Sequence, residues 1–181
     1  RAARPPLVAA PREAGRPMVA VLMNGRPLAL EAALEDLPAV LEPWCLGNES
    51  GPAIADILFG EVSPAGRLPM GMPRVTGQAP QSYAHPPTGR PANPDLSIDS
   101  ARYRDTAIGP LFPFGHGLSY ATFDYSALEI LPQSDGRSLR WAVSATVKNT
   151  GTRDAAEVAR LYIRAPVAGL ARPVTGPRGR A

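Results

Sequence analysis

The feature that most constrains this chain is Met18–Met23 (MVAVLM), a continuous apolar run that ends on Asn24-Gly25-Arg26-Pro27. Apolar side chains at every position suit a strand covered on both faces, whereas a half-exposed strand alternates. Asn-Gly followed by Pro is turn chemistry that stops such a strand. Leu28–Leu37 has room for a short helix, and Ala39–Trp44 repeats the buried-strand pattern. Gly47-Asn48-Glu49-Ser50-Gly51 then turns into a helix expected over Pro52–Phe59. Pro suits the first helical turn, and Gly60 suits the stop. Ile54, Ile57 and Leu58 would share one apolar face. Strand, turn, helix and strand in this order predict an α/β sandwich with a partly parallel sheet. Ahead of Met18, Pro5 and Pro6 suit a helix start, but Pro11 would sit badly in its interior.

Downstream the pattern changes. From Pro73 to Pro113 regular periodicity fades among recurring residues of the chain's 22 prolines and 17 glycines. A long irregular stretch in a compact protein is functional or disordered, and this one is expected to drape over the first domain. The remainder reads as β. Phe123–Leu131 alternates in part, and Leu139, Trp141, Val143, Ala145 and Val147 lie on one face at period two. Lys148-Asn149-Thr150-Gly151 makes a turn, and Val158–Ile163 is a further strand. This spacing predicts an all-β sandwich of immunoglobulin type, which needs about seven strands where about three are legible. The second domain therefore reads as incomplete. Cut strand edges and an open apolar face predict aggregation of the chain on its own.

Several function classes lose support at this level. The net charge is +3, with scattered arginines and no interleaved aromatics, so no nucleic-acid stripe is expected. The basic Arg172–Arg180 stretch reads as a solvated tail. Cys45 is the only cysteine, which excludes an intrachain disulfide and suits a small buried hydrophobe. No apolar run approaches the ~20 residues of a membrane helix. His85 and His116 are the only histidines, so no zinc cluster, metal or cofactor is expected. Ser50 sits one position late for a nucleophile elbow. Asn48-Glu49-Ser50 fits a glycosylation acceptor, a short match that is common by chance. The chain begins at Arg1, so its N-terminus reads as cut, with any targeting signal upstream.

Ordered motifs carry a resemblance across Gly15–Val174. They are Gly15-Arg16-Pro17 with MVAVLMNGRPLAL, Leu41-Glu42-Pro43-Trp44, and Gly47-Asn48-Glu49-Ser50-Gly51-Pro52-Ala53-Ile54-Ala55-Asp56. Leu58-Phe59-Gly60-Glu61, Ser63-Pro64-Ala65-Gly66-Arg67-Leu68-Pro69, and Arg102-Tyr103 ahead of the Gly109–Tyr120 run GPLFPFGHGLSY follow in order. Together they resemble bacterial family-3 glycoside hydrolases of the periplasmic β-glucosidase type. The resemblance implies a β/α barrel, then an α/β sandwich, then a fibronectin-III-like domain, which Asn149-Thr150-Gly151 would open. This chain would hold residues 1–72 as the later part of the sandwich, 73–122 as a connecting loop packed on it, and 123–181 as a truncated fibronectin-III-like domain. Thr175–Ala181 departs from the family's continuation.

The resemblance further implies a retaining enzyme acting on a β-glucoside or oligosaccharide, in a periplasmic or secreted parent. The nucleophilic Asp belongs to the missing N-terminal barrel, and the acid/base Glu lies upstream of the segment equivalent to Met18. Retaining hydrolysis needs two carboxyl groups about 5 Å apart, so no catalytic residue is expected here and the chain alone should be inactive. Trp44, Glu49, Arg102 and Tyr103 are the substrate-proximal candidates. Trp44 is either a stacking platform for a sugar or core. Glu49 either lines the sugar pocket or orients the acid/base, or it caps the following helix or pairs with an Arg. Arg102 and Tyr103 either approach the aglycone side or staple the loop to the sandwich. His116 reads as structural, and Phe112, Phe114, Tyr120 and Phe123 as an aromatic cluster between domains. The competing readings are a non-catalytic carbohydrate-binding or adhesion module and a complementing subunit of a split glycosidase.

Overall fold

The computed structural model describes residues 15–34, 37–86, 89–93, 95, 102–134, 139–164 and 175–178. The segment holding Pro5, Pro6 and Pro11, and most of Arg172–Arg180, lie outside them. Two compact units are present: residues 1–54, 67–116 and 159–181 form one, and 55–66 with 117–158 form the other. The described residues combine parallel and antiparallel two-stranded sheets with few helices.

In the first unit, β1 (Val19–Val21) pairs in parallel with β2 (Ala39–Leu41), Val19 opposite Ala39 and Val21 opposite Leu41. Leu22 N–H donates to the Leu41 carbonyl at 2.9 Å, which extends the ladder by one bond. Both strands are shorter than the apolar runs that encode them, and their burial is partial rather than two-sided: Val19 and Met23 are exposed. A two-stranded sheet has too few neighbours to cover both faces. Between the strands, α1 (Glu31–Leu34) is a single turn inside the expected Leu28–Leu37. Pro27 and Pro38 bracket it, and each disfavours helix in the residue before it.

Helix α2 spans Ser50–Leu58 and begins ahead of the expected Pro52. Pro52 is tolerated there because the first-turn N–H groups have no helical acceptor in any case. Gly60 takes φ +80°, the left-handed stop that glycine adopts without strain. Ile54 and Ile57 are half-buried, but Leu58 is exposed and Phe59 is 84% exposed, so the apolar face is narrower than Ile54, Ile57 and Leu58 together suggested.

The irregular stretch is closed at its base by backbone pairing. Met72 N–H donates to the Phe112 carbonyl and Leu111 N–H to the Met72 carbonyl, both at 2.8 Å. Leu68 N–H reaches the His116 carbonyl at 2.8 Å, and Gly115 N–H reaches that of Leu68 at 2.7 Å. Inside the loop, Thr76–Gln78 forms one 3-10 turn. Gln78 is only 4% exposed and acts as the loop's internal strut. Its Oε1 accepts Arg74 N–H at 2.7 Å, and its Nε2 donates to the carbonyls of Ala107 and Gly109, each at 3.3 Å. Met72, at the base of the loop, is also buried. The antiparallel pair β5 (Leu161–Arg164) and β6 (Thr175–Arg178) belongs to this unit too. The sequence pattern had shown β5 and missed β6.

The second unit is built on β3 (Phe123–Ser134) and β4 (Leu139–Asn149), an antiparallel pair running from Phe123 opposite Asn149 to Ser134 opposite Leu139. A register shift between Ser126 and Glu129 places Ala127 at φ +50°, as a bulge demands. The apolar period-two face is open: Trp141 is 56% exposed, and Val143, Val147 and Ile130 are exposed with it. Tyr120 Oη donates to the Ile57 carbonyl at 2.8 Å, and Arg153 lies over the Tyr120 ring and donates to the Gly60 carbonyl.

Candidate functional site

In open α/β sheets, ligands bind beyond the carboxyl ends of parallel strands, where the chain leaves the ladder and turns. In this chain that edge holds Asn24, just past β1, and Glu42, Pro43 and Trp44, just past β2. The parallel register brings the two turns side by side. Asn24 Nδ2 donates to both Glu42 oxygens, Oε1 at 3.3 Å and Oε2 at 3.0 Å, and to the Leu22 carbonyl at 3.3 Å. Its Oδ1 accepts Arg26 N–H at 3.2 Å, so both ends of the amide are committed and its orientation is fixed. Glu42 Oε1 also accepts Trp44 N–H at 3.2 Å.

Trp44 takes φ +60°. For a bulky L-residue the left-handed region costs about 1–2 kcal/mol through crowding of Cβ. A backbone N–H bonded to a carboxylate returns about 1.5–3 kcal/mol when shielded, and toward the low end when half-buried as here. The Glu42 bond is therefore of the size needed to hold the strained turn. The consequence is geometric: a half-buried indole is presented from a turn whose backbone is tied across two strands. Cys45, next in the chain, is free and exposed rather than a buried hydrophobe.

The other candidates lie elsewhere. Glu49 is exposed in the turn ahead of α2, where its own carbonyl accepts Ala53 N–H at 3.1 Å. Arg102 and Tyr103 share one recess of about 550 Å³ with Arg104, Thr106, Ala107 and Ile108. Tyr103 Oη donates to the Gly77 carbonyl at 2.8 Å, and Gln78 holds the recess wall through Ala107. Neither Trp44 nor Glu49 lines that recess. Glu42 and Asn24 were missed as site residues. The signal that could have found them is the repeated ending of an apolar run in a polar turn, Leu22-Met23-Asn24 and Leu41-Glu42.

The expected aromatic cluster has other partners. Phe112 stacks on His116 with centroids 4.9 Å apart, and Phe114 stacks on Tyr83 at 4.2 Å, with the Arg160 guanidinium 5.8 Å from its centroid. His116 titrates below its ordinary value, first because burial disfavours the imidazolium and second because Arg67 is nearby. Among the described residues no cluster of three His, Cys, Asp or Glu could hold a metal, and no helix is long and apolar enough to cross a membrane.

Comparison with known proteins places this geometry in context. Residues 2–120 match the family model described as "Glycosyl hydrolase family 3 C-terminal domain". The chain is 45% identical to a periplasmic beta-glucosidase of Salmonella typhimurium over 174 residues, which is 96% of this chain and 23% of that protein. It is 38% identical to a beta-xylosidase of Formosa agariphila, covering 92% of this chain and 22% of the relative. Among solved structures, a β-glucosidase from Erythrobacter marinus superposes with a TM-score of 0.83 at 42% identity, over 96% of this chain and 22% of its own. The Listeria innocua beta-glucosidase in complex with isofagomine gives 0.84 at 34% identity, over 96% of this chain and 24% of its own. The chain thus spans less than a quarter of the length of these relatives.

Proposed function

Because this chain belongs to glycosyl hydrolase family 3, through that family's C-terminal domain, we propose that it serves as the sugar-facing scaffold of a retaining β-glucosidase. The observation that carries this reading is the 45% identity to a periplasmic beta-glucosidase along 96% of the chain. The activity is hydrolysis of terminal β-linked glucose. The identity to a beta-xylosidase makes a β-xyloside the alternative substrate within the same class.

Chemistry divides the labour. Retaining hydrolysis needs a nucleophilic carboxylate and an acid/base carboxyl about 5 Å apart, on opposite sides of the reacting bond. The nucleophile is supplied by the barrel domain of the longer enzyme, and the acid/base residue by chain ahead of Met18. This chain is inactive alone. Its contribution is to shape the rim: Trp44 offers an aromatic face to a sugar ring, Glu49 projects toward the sugar hydroxyls, and Arg102 with Tyr103 approach the aglycone side. By the family's domain order, residues 1–72 belong to the α/β sandwich, 73–122 to the loop packed on it, and 123–181 to a fibronectin-III-like domain, although 159–181 group with the first compact unit of this chain. The open apolar face around Trp141 is the side a second sheet of that domain would cover. The longer enzyme resides in the periplasm or outside the cell.

The test is an assay on a chromogenic β-glucoside, with a β-xyloside in parallel. The chain alone should show no turnover. Fusion to a family-3 barrel with the missing sandwich segment should restore it. Clear turnover by the isolated chain would remove the proposed division of carboxylates.

A further inference from the structure

The substrate-proximal candidates do not include the group that fixes one of them. We infer that Glu42 is a positioning residue: its carboxylate, anchored by Asn24, holds the Trp44 turn and so sets the indole face offered to a sugar at the carboxyl edge of β1 and β2. The inference rests on reading Trp44 as a sugar platform, and it adds the residues that make that platform rigid.

Three observations converge. Trp44 is held at φ +60°, a conformation it would leave if unrestrained. Its N–H, at the hinge of that turn, donates to Glu42 Oε1. Glu42 in turn is held from the neighbouring strand end by Asn24, through both carboxylate oxygens, and Asn24 is itself locked by Leu22 and Arg26. A turn whose strain is tied across two strands is pre-organised, and a rigid aromatic loses less freedom when a ligand stacks on it. A carboxylate and an amide beside an aromatic face also match the chemistry of a sugar ring, which presents C–H groups on its face and hydroxyls at its edge.

Trp44 and Trp141 are the only tryptophans, so Trp141→Phe makes Trp44 the sole indole reporter. In that background the chain is compared with Glu42→Ala, Glu42→Gln and Asn24→Ala, each with far-UV circular dichroism to establish an intact fold. Cellobiose is the titrant. Glu42→Ala and Asn24→Ala should shift Trp44 emission to the red, raise its acrylamide quenching and weaken the cellobiose response about tenfold or more, equivalent to ~1.4 kcal/mol. Glu42→Gln keeps an oxygen acceptor and should restore most of both signals. Unchanged Trp44 emission and quenching in Glu42→Ala would overturn the inference, as would Glu42→Gln behaving like Glu42→Ala. If the emission changes appear but cellobiose moves no variant, wild type included, Glu42 still positions Trp44 and the sugar-platform reading fails instead.

Discussion

Gly115→Ala should be among the most damaging single-methyl additions in the first unit. Gly115 is buried at φ +80°, and a Cβ built there would lie 2.9 Å from Arg160 Nη2 and closer still to Nη1 and Cζ. Arg160 donates to the Gly115 carbonyl and lies over the Phe114 ring. The positive φ alone costs an alanine about 1–2 kcal/mol. A guanidinium is the far end of a flexible side chain, so the clash is relieved by swinging Arg160 away. That movement gives up a hydrogen bond contributing about 1 kcal/mol net and a cation–π contact of about 0.5–1 kcal/mol. The sum is about 2.5–4 kcal/mol, and for a chain of this size each kcal/mol lowers Tm by roughly 2–4 °C. The assay is thermal and urea unfolding of the wild type, Gly115→Ala, Arg160→Ala and the double variant. Since Arg160→Ala has already lost both contacts, adding Gly115→Ala to it should cost only the backbone term of about 1–2 kcal/mol. A Gly115→Ala effect under about 0.5 kcal/mol, or one of equal size in both backgrounds, would refute the coupling to Arg160.

Two further outcomes follow from the same contacts. Burial and Arg67 lower the His116 pKa, so the unfolded chain takes up this proton first as pH falls. Stability should therefore decline as pH drops below the ordinary histidine value and level off below the folded one, and His116→Gln should flatten that slope in melts run from neutral to mildly acidic pH. Gln78→Ala strands the Arg74 N–H and the carbonyls of Ala107 and Gly109. It should cost about 2–3 kcal/mol and make the 102–109 recess a preferred site of limited proteolysis.

Much was legible in the chain's local chemistry. Proline and glycine punctuation located both helices and the stop of α2 at Gly60, whose positive φ acts within a turn, but α1 is shorter than the Leu28–Leu37 expected between Pro27 and Pro38, and α2 starts two residues ahead of Pro52. Period-two alternation found β4, and ordered motifs from Gly15 onward identified the family that residues 2–120 match. Strand lengths were less accessible. An apolar run records what the side chains tolerate, whereas a strand extends only as far as a partner bonds it, and Val19–Val21 and Ala39–Leu41 stop where their mutual register stops. β6 carries too weak a pattern to be read without β5 beside it.

The candidate site divides along the same line. Trp44 and Glu49 were candidates by residue type and by their place after a strand, and of the two only Trp44 lies at the Asn24–Glu42 edge. The partnership of Asn24 with Glu42, the left-handed turn at Trp44, and the burial of Gln78 did not. The Asn24–Glu42 pair and the Gln78 bonds to Ala107 and Gly109 join residues far apart in sequence, set by the parallel register of β1 on β2 or by the closure of the loop on Met72 and Phe112, and the Trp44 turn, though local, is fixed through that pair. Sequence determines which groups exist and which local turns they favour. Only the folded chain decides which groups meet, because a hydrogen bond a few ångströms long depends on the register of every element that delivers its two ends.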